Sequence, residues 1–253
     1  YLERKFYEKL QRTFGLSDQI SKEITYYCRS IFDTHFSDEN CIEETISLIA
    51  HHFSTEDIIY NPQVFAIHPR TLKQRIEILN ELGFERLLIT QIDSMFHLQL
   101  HETPFAMKTM GLYSMEMNPI ECLMRQIQCP NFIKDLTKRD VGRYDFVQFI
   151  KIRQIFLSHY LSWKLGYKPE EALKIITKKS SRISNSSLSN LSKVIDLLIA
   201  EKFPPKTILT SSFLVGSDYK NTELLLKNYR VLAGCEFKDL CVKYPRLLDT
   251  KYV

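Results

Sequence analysis

The chain has 253 residues, of which 44% are hydrophobic and 25% charged, which excludes a disordered chain and suits one or two compact domains or one long repeat array. Seven glycines all but exclude Gly-rich phosphate loops, and six cysteines are too few for a disulfide scaffold at this length. The net charge of +4 hides an asymmetry: residues 1–133 carry 12 Lys/Arg against 18 Asp/Glu, residues 134–253 carry 22 against 12, and the basic half points to an acidic partner unless it is only a solvated, Lys-rich surface.

Taken in chain order, the elements share a punctuation: an aromatic residue, then Ser or Pro, then usually acids. It occurs at Phe14-Gly15-Leu16-Ser17-Asp18, Phe36-Ser37-Asp38-Glu39, Phe53-Ser54-Thr55-Glu56-Asp57 and Tyr167-Lys168-Pro169-Glu170-Glu171, with an acid-free variant at Phe203-Pro204-Pro205-Lys206. Each predicts a helix start, because Ser accepts from unpaired N–H groups, Pro fits the first turn and carboxylates favour the positive end of the dipole. Asp57 stands where a capping-box acid belongs.

A second landmark is Pro followed by two apolar residues, at Asn61-Pro62-Gln63-Val64-Phe65, Cys129-Pro130-Asn131-Phe132-Ile133 and Tyr244-Pro245-Arg246-Leu247-Leu248. Proline ends the helix before it, so each reads as a short 3₁₀ turn between two helices. Ser180 replaces the proline in Lys178-Lys179-Ser180-Ser181-Arg182-Ile183. The helices that follow are amphipathic: Leu72, Ile76, Leu79 and Leu82 before Gly83-Phe84, and Leu191, Val194, Leu197 and Leu198 before Phe203. Gly83 and Gly166 stand at left-handed C-terminal positions. Aromatic landmarks recur after 31 residues (Phe53 to Phe84), 36 (Tyr167 to Phe203) and 34 (Phe203 to Phe237), as repeats do. Alternating Val-rich runs are scarce, so almost no strand is expected.

The segment from Phe53 to Phe84 resembles a repeat of the mTERF (mitochondrial transcription termination factor) family. The resemblance rests on Glu56-Asp57, Asn61-Pro62 with Val64 and Phe65, the apolar helix through Leu72, Ile76 and Leu79, and Leu82-Gly83-Phe84. Tyr244-Pro245-Arg246-Leu247-Leu248-Asp249 is similar to the family's closing motif, and the units from Tyr167 and Phe203 fit its length. The pattern is degenerate between Phe84 and Tyr167. The resemblance implies an all-α fold, a left-handed α-solenoid of units with two α-helices and one 3₁₀ turn, curved into a half ring and forming a single domain over residues 1–253. It also implies a location in the mitochondrial matrix behind a transit peptide, duplex DNA along a basic concave surface, and regulation of transcription, by termination first of all. The alternative is an RNA-binding or ribosome-assembly factor whose acidic half docks a protein. A third reading is a protein-only scaffold. A monomer is expected.

Basic residues in repeat register are the candidate nucleic-acid contacts. Lys178 and Lys243 each stand two residues before Ser180 and Pro245; Arg246 follows its proline, and Lys179 and Arg182 flank Ser180-Ser181. Stacked repeats align equivalent positions, so these charges suit a phosphate backbone; the alternative is that they close helix dipoles. A second cluster, Lys138, Arg139 and Arg143 with Lys151 and Arg153, is diluted by Asp135, Asp140 and Asp145 and reads equally as a salt-bridged surface. Tyr144, Phe146 and Tyr160 suit base stacking, although aromatic residues at helical spacing are more often core.

No catalytic set, cofactor or metal is expected. His97 and His101 have helical ligand spacing, but no acid or Cys completes a site, and phosphate-loop, dinucleotide and nucleophile-elbow motifs are absent. No segment approaches the ~18 apolar residues of a membrane span. The cysteines read as small core residues in a reducing compartment.

Overall fold

The computed structural model describes residues 1–32, 39–93, 96–127, 130, 133, 144–178, 183 and 185–250, the side chains of Ser30, Ile31, Lys178 and Asp249 excepted. These residues are mostly helical. They fall into two compact units: unit 1 is Tyr1–Leu79 with Phe84–Leu100, and unit 2 is Asn80–Gly83 with His101–Val253. The division near residue 100 precedes the change in charge at 133. Among the described residues no helix is long and apolar enough to cross a membrane.

Unit 1 holds helices α1 (Leu2–Phe14), α2 (Asp18–Tyr27), α3 (Arg29–Phe32), α4 (Glu39–His52), α5 (Thr55–Tyr60), most of α6 (Pro69–Leu82), α7 (Ile89–Ile92) and most of α8 (Phe96–His101), with a 3₁₀ turn at Pro62–Ala66 between α5 and α6. The capping box forms as the sequence predicts: Ser54 Oγ accepts from Asp57 N at 3.1 Å, and Asp57 accepts from Ser54 N at 3.0 Å. Pro62 starts the 3₁₀ turn, which sends Val64 and Phe65 into the core. There Phe65 meets Phe6 of α1 edge-on, with ring centroids 5.3 Å apart, and Ile42, Ile46 and Ile49 of α4 complete the layer.

Unit 2 holds α9 (Pro104–Thr109), α10 (Pro119–Gln126), a 3₁₀ turn at Tyr144–Phe146, α11 (Phe149–Leu165), α12 (Pro169–Lys178), α13 (Leu188–Ala200), α14 (Pro205–Thr210), α15 (Ser212–Val215), α16 (Tyr219–Asn228), α17 (Phe237–Lys243) and a closing 3₁₀ turn at Pro245–Asp249. Pro169, Pro205 and Pro245 start elements at the predicted places. Helix α11 is the spine: α10, α12 and α14 pack on it, and Ile152, Phe156, Leu157, Tyr160 and Leu161 are buried. Gly83, at φ +95°, closes α6; a Cβ there would lie 2.7 Å from Cys122 Sγ and 3.0 Å from the Tyr113 hydroxyl, which donates to the Leu82 carbonyl at 2.6 Å. The backbone conformation and the space both require glycine.

Strand is almost absent among the described residues, as expected, and one cysteine departs from its expected place. A hairpin joins α16 to α17, pairing β1 (Val231–Leu232) with β2 (Cys235–Glu236). Ala233 and Gly234 both take positive φ, 51° and 78°, the pattern of a two-residue hairpin turn. Its strands are too short to show alternation in the sequence. Cys235 is consequently exposed, whereas Cys28, Cys122 and Cys241 are buried as expected.

Candidate nucleic-acid interface

In the last part of unit 2, successive helices are joined at a fixed register. Ser187 and Asp218 cap α13 and α16. Three residues further in stand Asn190 and Asn221, whose backbone N–H groups receive those caps. The Asn190 amide donates to the Ser217 carbonyl at 2.8 Å and accepts from Tyr219 N at 2.9 Å. The Asn221 amide donates to the Leu248 carbonyl at 3.3 Å and to the Thr250 carbonyl at 2.8 Å. Every pair of equivalent residues is 31 apart: 187 and 218, 190 and 221, 217 and 248.

One step earlier the equivalent carbonyl is that of Ser186, and Arg153 donates to it. Glu81, 3.8 Å from Arg153, accepts from Ser189 N at 3.1 Å. An amide carries donor and acceptor on one side chain; here an ion pair divides the two tasks. Arg153 is 0% exposed, and burial pulls its guanidinium below the usual arginine range, partly opposed by Glu81. The expectation of a phosphate contact at Arg153 is therefore corrected: the residue lies within the fold. Helix α11 is apolar on most of its surface, so Arg153 cannot be told from a surface residue by spacing.

The other candidates divide as follows. Lys138, Arg139, Arg143, Lys179 and Arg182 lie outside the described residues. Lys178 ends α12, with its side chain also outside them. Lys151 is exposed in the first turn of α11. Lys243 and Arg246 are exposed and come together at the turn between α17 and the closing 3₁₀ turn. Each lies against an aromatic ring: Lys243 is 5.3 Å from the centroid of Tyr244, itself 52% exposed, and Arg246 is 4.8 Å from that of Phe213. Neither has an ion-pair partner among the described residues. Such a corner offers cations to phosphates and a ring face to a base.

Spacing did not reveal Phe213 as the seat of Arg246. Phe213 and Arg246 are 33 residues apart, outside the 31-residue register, so the sequence carried no signal for this contact. Of the aromatic candidates, Tyr160 is buried and donates to Ser192 at 2.9 Å. Tyr144 is half-buried, and Phe146 is exposed against Phe105, with centroids 5.0 Å apart. His97 and His101 are both exposed, and among the described residues no group of three or more metal-ligating side chains is placed to hold an ion. No family model matches the chain, and no curated protein or solved structure matches it.

Proposed function

We propose that the chain is an mTERF-type helical-repeat protein that binds duplex DNA on unit 2 and regulates mitochondrial transcription, by termination. The observation that carries this reading is the exposed Lys243–Tyr244–Arg246 corner, with cations left open to a polyanion. The 31-residue register of Asn190 and Asn221 supports a repeat array, which the reading takes as a left-handed α-solenoid in a half ring. In this reading the protein works as a monomer in the matrix and has no catalytic activity. Its cations neutralise phosphates and release counterions, and the bound collar blocks an advancing polymerase.

The test is fluorescence anisotropy with duplex DNA and structured RNA of equal length, each across a salt series. Duplex preference is expected, with a log–log salt slope of about −0.9 per phosphate contacted. Lys243→Ala with Arg246→Ala is expected to flatten that slope by roughly 1.8. No duplex binding at low salt overturns the reading. A second reading, an RNA-binding or ribosome-assembly factor with a protein partner on the acidic residues, is favoured by the ring of Tyr244 beside Lys243, a pairing that suits unstacked bases; tighter RNA binding selects it.

A further inference from the structure

The connection from α16 to α17 is longer than its counterparts. Residues 166–168 join α11 to α12 and residues 201–204 join α13 to α14, whereas residues 229–236 join α16 to α17 and fold into the hairpin. Its base is fixed: Phe237 N donates to the Arg230 carbonyl at 2.9 Å, and the buried Phe237 ring lies 5.7 Å from that of Tyr229. Beyond that base nothing is buried. Val231 is 61% exposed, Leu232 is 40% exposed, and all six residues from 231 to 236 are exposed. The apolar side chains of this insertion therefore add nothing to the core, and insertions in repeat arrays commonly carry binding.

Cations surround the hairpin. Lys227 and Arg230 are exposed, without ion-pair partners among the described residues, and Lys238 follows β2 with its ammonium 5.9 Å from the Phe203 ring centroid. Glu236 is the one carboxylate between residues 227 and 238. Strands of two residues are too short an edge for strand addition by a protein. A two-stranded ribbon does enter the major groove, about 12 Å wide. Helix α17 has seven residues, so the hairpin at its start and the Lys243–Arg246 corner at its end are separated by about 10 Å, within one groove width.

We propose that this hairpin reads the major groove of duplex DNA, with Leu232, on the face it shares with Cys235, against a thymine methyl group and Lys227 and Arg230 on the flanking phosphates. The proposal rests on the duplex reading above and adds its sequence preference, for thymine. The experiment measures anisotropy of the full chain with a thymine-rich duplex and with the same duplex carrying uracil in place of thymine, at one salt concentration. It is run on the wild type, on Leu232→Ser, and on Lys243→Ala with Arg246→Ala. Circular dichroism verifies that each variant is folded, and the hairpin residues are exposed, so folding is expected to survive.

The expected result is that uracil weakens wild-type binding by about fourfold for each methyl group buried, and that the hairpin variant no longer distinguishes the two duplexes. The corner variant weakens on both and keeps the wild-type ratio. Equal wild-type binding to the two duplexes overturns the proposal, as does a hairpin variant that keeps the wild-type ratio, an outcome that would leave the hairpin to a protein partner. If the wild type binds neither duplex, the duplex reading falls and the hairpin proposal falls with it; if only the hairpin variant is silent, the duplex reading stands.

Discussion

In unit 1 six of the ten Lys/Arg lie on carboxylates, Arg4 on Glu8, Lys5 on Glu39, Lys9 on Glu43, Lys22 on Asp18, Arg29 on Glu3 and Lys73 on Glu77, while Arg12 and Arg86 are exposed without such a partner among the described residues. In unit 2, Lys108, Arg125 and Lys164 lie on Asp145, Glu121 and Asp196, but Lys151, Lys227, Arg230, Lys243 and Arg246 are exposed with no such partner among the described residues. The totals differ in the same direction, with 10 Lys/Arg against 14 Asp/Glu in unit 1 and 24 against 16 in unit 2. Net charge alone does not describe this difference. A cation beside a carboxylate has its field closed within a few ångströms, whereas an unpaired one is felt out to about 8–10 Å in physiological salt. Unit 2 carries more of these open cations, and Arg153, buried within it, serves the fold instead.

The largest effect expected from breaking this contrast is at that buried cation. Arg153→Ala strands Glu81 in the interior and should cost about 3–5 kcal/mol, whereas Arg153→Met with Glu81→Leu should recover only part of the loss, because the Ser186 carbonyl and Ser189 N–H lose these partners; urea titration followed by circular dichroism measures both. A cost for Arg153→Ala close to zero would show that the charge is solvated. Next comes the amide joint. Asn190→Ala leaves the Ser217 carbonyl and Tyr219 N–H without their partner and should cost about 1–3 kcal/mol. Asn221→Ala removes two bonds to carbonyls, one of them on exposed Thr250, and should cost less in the same titration.

Smaller still is the response of unit 1 to losing its paired cations. Lys5→Ala with Lys9→Ala should leave both the unfolding midpoint and the affinity for duplex DNA unchanged, because exposed pairs contribute little; a loss of affinity would extend the interface to unit 1. The smallest effect compares one histidine in each unit. Burial holds His52 below the usual imidazole range, helped by His51, and does the same to His159, partly opposed by Glu170. With their pKa values depressed in the folded state, the unfolded chain binds more protons as the pH falls from 7 through about 6.5, so stability declines on acidification. Thermal melts at pH 7 and 5.5 should show a smaller drop for His52→Gln and for His159→Gln than for the wild type.

The elements visible in the sequence were those set by local chemistry. Ser54 with Asp57, Pro62 and Pro245 depend on neighbours within a few residues, and each starts its element where the spacing predicts. The apolar face of α6 is as regular in the structure as in the sequence, with Leu72, Ile76, Leu79 and Leu82 all buried. Arg153 was misread because its partners, Glu81 and the Ser186 carbonyl, are distant in sequence. Lys243 and Arg246 were legible as exposed charges and Tyr244 is the neighbour of Lys243, but the Phe213 ring under Arg246 comes from a segment 33 residues away. The hairpin was not legible, because two residues per strand leave no period to detect.

The joint built on Asn190 has a consequence for inheritance. A single side chain supplies both its donor and its acceptor, and it lies on the same helix as the cap that holds it. A copied block of 31 residues would carry a complete connector with it, so the chain can gain a segment here without any compensating change. The joint at Arg153 is written in two distant places, Glu81 and Arg153, and a copy of either alone would bury an unmatched charge. Growth of the molecule by duplication is thus open towards its C-terminal end and closed around Arg153.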